Sequence, residues 1–186
     1  LNSASMPSLK SVKDRFCSPP STSIIGVGGS ALQMVAHGTI TGLLFLTVGL
    51  IYEESGTRHI PDLGGLISSM PIIGGMLIFG GLASLGLPFL SGFVAEVTVF
   101  LGSFTENPEP TIVAMFGIVL TAGYILWTFE RVLFKESKSR FSNVLDATKI
   151  DIFAMLLLAV PILLIGIYPS FILNIINSSI EPIIGG

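Results

Sequence analysis

The sequence contains few charged residues. Asp, Glu, Lys and Arg make up 11 % of the 186 residues, whereas soluble domains carry about 25 %. So few charges cannot cover the surface of a water-soluble protein of this length. The net charge of −3 also supplies no basic excess for binding nucleic acid, so we expect no nucleic-acid partner. A membrane protein is therefore the first class to consider.

Cysteine and nucleotide-binding motifs are also scarce. Cys17 is the only cysteine, which excludes an internal disulfide and disfavours a thiolate metal cluster. The sequence has no P-loop, no GxGxxG, no CxxC and no run with metal-ligand spacing. We therefore expect no cofactor or metal site in this chain. The first residues do not form a secretory signal peptide.

Long apolar runs, separated by short polar connections, make up most of the sequence. The first run carries no formal charge over 28 residues, and about 20 are enough to cross a bilayer. The pattern predicts an all-α fold, a polytopic transmembrane helix bundle with about four spans. We predict a polar tail over 1–23 and a transmembrane domain over 24–186, with spans at about 24–51, 66–104, 111–134 and 152–176.

The second run is too long for one straight crossing. Residues 63–104 would reach roughly 60 Å as a helix at about 1.5 Å per residue, about twice the hydrocarbon thickness. The run is either two short spans with a turn at "LGLP" or one helix broken near Gly86 and Pro88. Proline lacks the N–H that a helix interior needs. Because no charge anchors a turn at the membrane surface there, we favour the broken helix.

The polar connections predict how the chain is oriented. Lys and Arg are most numerous in the connection at 135–151, and a further Arg lies in the one at 52–62. Positive residues favour the cytoplasmic side or its equivalent. We therefore place both connections on that side.

Glu96 is the residue that points most strongly to chemistry. It is the only charged residue in 63–104, and a charge at membrane depth is costly. Such residues face a bundle interior or a wet path and often belong to proton relays. The alternative is that Glu96 tilts into the headgroup region near the following loop.

His37 is the only ionisable residue of the first run. Histidine titrates closest to neutral pH, which suits a second member of a proton relay. The alternative is a buried imidazole that bonds to a backbone carbonyl or to Gln33 one turn earlier.

Two sequence blocks resemble a known family. Residues 32–66 contain "AHG" and "TRHIPDLGGL", and residues 70–104 contain "GLPFLSGFVAE". Together they resemble the C-terminal part of the antiporter-like, proton-translocating membrane subunits of respiratory complex I. The nearest type is called M in bacteria and subunit 4 in mitochondria. The first 23 residues do not match the family.

The resemblance implies both a fold and roles for two residues. The family has fourteen transmembrane helices, of which this chain would supply the eleventh to fourteenth. The broken helix would be the twelfth, with Glu96 as the terminal proton-transfer residue and His37 as a relay in the eleventh. The family's other key residues, a glutamate–lysine pair and a central lysine, lie in helices that this sequence does not contain.

The implied function is proton pumping within an NADH:quinone oxidoreductase. The chain itself would hold no redox site, and NADH, FMN, iron–sulfur clusters and quinone would belong to partner subunits. Its partners would be the other membrane-arm subunits and the lipid of a prokaryotic, mitochondrial inner or thylakoid membrane. Related alternatives are a subunit of a sodium/proton antiporter or of a membrane-bound hydrogenase. A third is a structural module that only packs against its neighbours.

Overall fold

The protein is a bundle of helices in a computed structural model that describes residues 24–135 and 144–184. No strand occurs within these two ranges, so the all-α prediction is confirmed. The predicted polar tail, 1–23, lies outside the described residues. The α-helices are α1 Ile24–Ser55, α2 Leu66–Ser69, α3 Pro71–Ser84, α4 Ser91–Glu106, α5 Pro108–Phe129, α6 Lys149–Ile167 and α7 Ser170–Ile184. A 3-10 turn covers Ile60–Asp62, and α5 continues as a π-helical turn, Glu130–Phe134.

The outside of the bundle is apolar. Three helical segments, Ile25–Ser55, Pro108–Phe134 and Lys149–Ile167, are long and apolar enough to cross a membrane. Large hydrophobic side chains are exposed along them, including Phe45 at 79 % and Leu120 at 74 %. Water-soluble monomers rarely expose continuous apolar surface on this scale. The bundle is built to be surrounded by lipid or by other apolar helices.

Helix α1 continues past the end predicted for the first span. The apolar run ends at Ile51, but the helix extends through Glu53 and Glu54 to Ser55. It stops at Gly56, whose φ is +69° and whose N–H donates to the Tyr52 carbonyl at 2.8 Å. A glycine in the left-handed region is a common helix stop because it lacks a Cβ.

Helix α1 is the centre of the bundle, and α3, α4, α6 and α7 all pack against it. The residues of its packed face recur every three or four positions: Leu32, Ala36, Ile40 and Leu43 are all buried. This spacing places one side of a helix in contact with its neighbours over several turns. The site described below lies along this face.

Helices α3 and α4 form a single broken crossing. Residues progressively later in the pair contact residues progressively earlier in α1. In chain order the contacts are Gly80 with Leu44, Gly92 with Ile40 and Thr98 with Gly29. A hairpin of two short spans would reverse direction along α1, which these contacts do not do. The structure therefore confirms one helix, antiparallel to α1, that is interrupted between Ser84 and Ser91.

The last predicted span, 152–176, differs in the structure. Helix α6 ends at Ile167, and α7 begins at Ser170. Pro169 lies between them, and the residue before a proline is disfavoured in helical conformation. Tyr168 accordingly has φ −129° and ψ 69°. Pro161 does not interrupt α6, because neighbouring groups can satisfy the carbonyl that a membrane proline frees.

The connection before α6 contacts the end of α1, where the connection before α2 begins, and the start of α3, which directly follows α2, so both connections lie at one end of the bundle. The backbone N–H of Leu145 donates to the Glu54 carboxylate at 3.2 Å. Asp146 accepts from the backbone N–H groups of Ile72 at 2.9 Å and Ile73 at 3.3 Å. The charge count predicts that these two connections share a side, and this is what the structure shows. Which side of the membrane this is stays a prediction.

Candidate functional site

The break after α3 is a capped helix end. The N–H of Leu87 donates to the Leu82 carbonyl at 3.1 Å, and that of Gly86 to the Ala83 carbonyl at 3.3 Å. Gly86 has φ +71°. This pair of bonds around a left-handed glycine is the Schellman motif, and Pro88 then prevents the helix from resuming. The break is thus encoded locally by glycine and proline, and its amides are largely satisfied.

Close packing holds the break in place. A Cβ on Gly92, in the first turn of α4, would collide with the Ala83 carbonyl oxygen at the end of α3. A Cβ on Gly166, near the end of α6, would collide with the carbonyl oxygen of Phe89 inside the break. Phe89 itself has φ +74°, a conformation that a bulky residue rarely adopts. The surrounding helices therefore constrain the connecting segment from two sides.

The Glu96 carboxyl group points back at the break. Its Oε2 atom lies 2.7 Å from the position that a Cβ on Gly86 would occupy. The side chain is partly buried. Glycine at position 86 therefore has two roles, since it adopts the left-handed conformation and it leaves room for the carboxyl group.

Glu96 opens into a cavity of about 290 Å³. This volume is large enough for several water molecules, each of which takes about 30 Å³ in the liquid. The cavity lies between α1, the end of α3, α4 and α5, and each of these four helices contributes one polar side chain. Its lining residues are Gln33, Ser84, Leu85, Glu96, Val99, Phe100, Ala114, Gly117, Ile118 and Thr121.

The predicted relay residue His37 does not line this cavity. Its side chain is exposed, on the same open stripe of α1 as Met34 and Phe45. Its backbone carbonyl accepts the Thr41 hydroxyl at 2.6 Å. Neither the buried imidazole nor a direct pairing with Glu96 is found in the described part of the chain.

Gln33 occupies the position that sequence reasoning assigned to a partner of His37. It lines the Glu96 cavity instead, and its Oε1 atom is buried with no hydrogen-bond partner among the described residues. Thr121 is a second polar lining residue that the sequence reading missed. In both cases the available signal was a polar side chain within an otherwise uncharged apolar run.

Residues 18–121, more than half of the chain, match the family model described as "NADH:quinone oxidoreductase/Mrp antiporter, TM". The chain belongs to this family. Both blocks on which the predicted resemblance rested, 32–66 and 70–104, lie within the matched region, and the match also includes residues 18–23, which were expected to lie outside the family. The chain is an integral membrane protein.

Curated relatives in the family come from archaea, bacteria and organelles. The chain is 37 % identical over 160 residues to F(420)H(2) dehydrogenase subunit M of Methanosarcina mazei, covering 86 % of this chain and 32 % of the relative. It is 40 % identical over 163 residues to NADH-quinone oxidoreductase subunit M of Rhodobacter capsulatus, covering 86 % and 31 %. It is also 40 % identical over 175 residues to the chloroplastic NAD(P)H-quinone oxidoreductase chain 4 of Anthoceros angustus, covering 89 % and 35 %.

A solved structure agrees with the family assignment. A chain of respiratory complex I from Thermus thermophilus with bound NADH matches with a TM-score of 0.79 and 30 % identity. The match covers 89 % of this chain and 35 % of the other. The chain spans about a third of the length of the relatives that it matches.

Proposed function

We propose that this chain is part of a proton-translocating membrane-arm subunit of a complex-I-like NADH:quinone oxidoreductase. The observation that carries the proposal is the Glu96 carboxyl group. It lies against the break of a discontinuous helix and opens into a half-open cavity whose lining includes the polar side chains of Gln33, Ser84 and Thr121. Backbone irregularity at membrane depth is tolerated where it lines a cavity, and ionisable groups there mark ion pathways. The names of the curated relatives support the choice of complex.

In this proposal Glu96 binds and releases a proton at its carboxyl oxygens. The broken helix brings α3 to an end beside the carboxyl group, so the carboxyl group meets a cavity rather than the flank of a continuous helix. Water in that cavity would carry the proton to and from Glu96. The electron-transfer chemistry would reside in partner subunits, and changes there would alter the free energy of proton binding at Glu96.

His37 remains a candidate relay in this proposal. An exposed imidazole on the apolar stripe of α1 would need covering by neighbouring protein to join a proton path. The proposal therefore assigns His37 to an interface with other helices of the assembled subunit. Loss of proton translocation in His37→Ala, with normal assembly, would support this role.

The Glu96→Gln variant tests the proposed function in the assembled complex. Glutamine keeps the size of the side chain but cannot release a proton at neutral pH. We expect quinone-dependent proton translocation in membrane vesicles to fall by about tenfold or more, since positioned acid–base groups contribute at least this much. Assembly, judged by native gel electrophoresis, should not change.

A matched control lies on the same helix. Glu106→Gln makes the same chemical change at the exposed end of α4, away from the cavity. We expect wild-type translocation from this variant. Normal translocation by Glu96→Gln would refute proton transfer at this residue and favour a structural module.

The sodium/proton antiporter alternative is less favoured because the matched relatives named above are dehydrogenase or quinone oxidoreductase subunits. The family model covers both groups, so the distinction can be measured directly. Proton uptake driven by a sodium gradient, without electron donor or quinone, would identify an antiporter. Translocation that requires both electron donor and quinone would identify the complex-I-like role.

A further inference from the structure

We propose that the side-chain amide of Gln33 is the hydrogen-bonding partner of Glu96 on the opposite helix, through water in the shared cavity. This inference deepens the proposed function, on which it rests. It assigns a positioning role to a residue of α1, whose amide would be the second hydrogen-bonding partner of the cavity water beside Glu96.

The antiparallel packing of α1 and α4 brings residues 33 and 96 to the same cavity. Gly29 of α1 contacts Thr98 of α4, and Ile40 contacts Gly92. Because the helices are antiparallel, positions between 29 and 40 lie opposite positions between 98 and 92. Residues 33 and 96 both lie within these facing intervals, and both line the same cavity.

The hydrogen-bonding state of Gln33 also points to a ligand in the cavity. Its Oε1 atom is buried and has no partner among the described residues. A buried polar atom without a partner costs free energy, and rotation of the side-chain amide would bring this atom to water in the cavity that the residue lines. The cavity that Gln33 lines is polar enough and large enough to hold that water.

The chemistry of an amide suits a neighbour that gains and loses a proton. Its oxygen can accept a bond from a protonated carboxyl group or from water bound to it. Its NH₂ group can donate to the ionised carboxylate by the same route. Gln33 can therefore solvate both states of Glu96 without itself changing charge.

Thr121 completes the polar lining on the α5 side. Its hydroxyl donates to the Gly117 carbonyl at 3.0 Å, so its oxygen lone pairs remain available as acceptors for cavity water. The carboxyl group, the amide and the hydroxyl thus come from three different helices around one volume.

The test is infrared spectroscopy of the assembled complex with variants at position 33. The Glu96 carboxyl band is assigned by its loss in Glu96→Gln. In Gln33→Met, which keeps the length of the side chain and removes the amide, we expect this band to shift because a hydrogen bond is lost. Proton translocation should slow about two- to tenfold, the range that corresponds to one hydrogen bond. Should Gln33→Met not accumulate in the membrane, Gln33→Leu removes the same groups with a different shape.

Two further variants separate hydrogen bonding from packing. Gln33→Asn keeps an amide one methylene shorter and should restore the band, since a water bridge tolerates the difference. Ile118→Leu alters another lining side chain without changing polarity and should leave the band in place. An unchanged Glu96 band in Gln33→Met or Gln33→Leu would overturn the inference. So would an equal shift in Ile118→Leu.

The two proposals fail in different ways. If Glu96→Gln translocates protons normally, the proposed function is wrong, whatever the spectra show. If Glu96→Gln stops translocation but removal of the Gln33 amide moves neither the band nor the rate, only the present inference is wrong.

Discussion

Replacing Gly86 with alanine perturbs the backbone and the carboxyl group of the site together. The backbone at this position has φ +71°, where an L-residue with a Cβ costs about 1–2 kcal/mol. The added Cβ would also lie 2.7 Å from Oε2 of Glu96, closer than ordinary van der Waals contact. Because the carboxyl group is the end of a flexible side chain, we expect it to move rather than the helix.

The two effects can be separated by a double-variant cycle. The backbone term of about 1–2 kcal/mol should persist when Glu96 is replaced with alanine, whereas the contact with Oε2 disappears. Gly86→Ala should therefore cost less stability in the Glu96→Ala background than in the wild type. For substitutions of contacting residues in proteins in general, the change in unfolding free energy of the double mutant commonly differs from the sum of the single changes by about 0.5–3 kcal/mol.

Stability and transport give separate readouts. Unfolding in mixed detergent micelles, followed by circular dichroism, measures the free-energy cost. Proton translocation in vesicles measures displacement of the carboxyl group, and we expect it to fall in Gly86→Ala even under conditions where the protein stays folded.

Gly75→Ala is the matched control, in α3, the helix that ends just before Gly86. A Cβ at position 75 would meet no atom within 4 Å, so this variant should be neutral or stabilise the helix by roughly 0.5–1 kcal/mol. If Gly86→Ala matches Gly75→Ala in both stability and transport, the described geometry of the break is wrong.

Two further predictions concern how α3 is held. A Cβ on Gly81 would collide with the Phe129 ring, so Gly81→Ala should lower the melting temperature, and adding Phe129→Leu should restore part of the loss; no recovery would contradict the contact. Asp146→Ala removes the acceptor for the first amides of α3 and should cost about 0.5–2 kcal/mol, as a lost helix cap does. Faster hydrogen exchange at Ile72 and Ile73 checks this, and unchanged exchange would contradict it.

The break and its carboxylate were predictable because local chemistry encodes both. Gly86 and Pro88 stop a helix by conformational preference, wherever the segment lies. Glu96 was conspicuous because a charge in a long apolar run is unfavourable in lipid without a specific reason. The structure adds that these features meet, since the carboxyl group folds back over Gly86.

The partner of Glu96 was not predictable from the pattern of α1. Gln33 and His37 lie one turn apart in a helix that is apolar on every side. In a soluble protein the polar face would mark the outside, but a membrane helix is apolar on both its packed and its lipid-facing sides. The sequence therefore carries no contrast that selects Gln33 over His37 as the residue facing Glu96.

The end of the last span illustrates a different limit. Residues 152–176 form one continuous apolar run with prolines at 161 and 169. Hydropathy treats the two prolines alike, but only the second coincides with a helix end. Whether a membrane proline ends a helix depends on neighbours that satisfy the freed carbonyl, and those neighbours are defined only by tertiary packing.

By itself, the sequence determined that this is a membrane-embedded helical protein with a helix stop near Gly86 and Pro88 and one carboxylate in a long apolar run. Those properties follow from composition and local backbone preference. Only the tertiary structure decided that α3 and α4 run in the same direction, antiparallel to α1, on either side of the break. It also decided that Glu96 shares a cavity with Gln33 rather than with His37. The physical reason is that helices in lipid recognise each other by close packing at glycines and by register, which hydrophobicity does not encode.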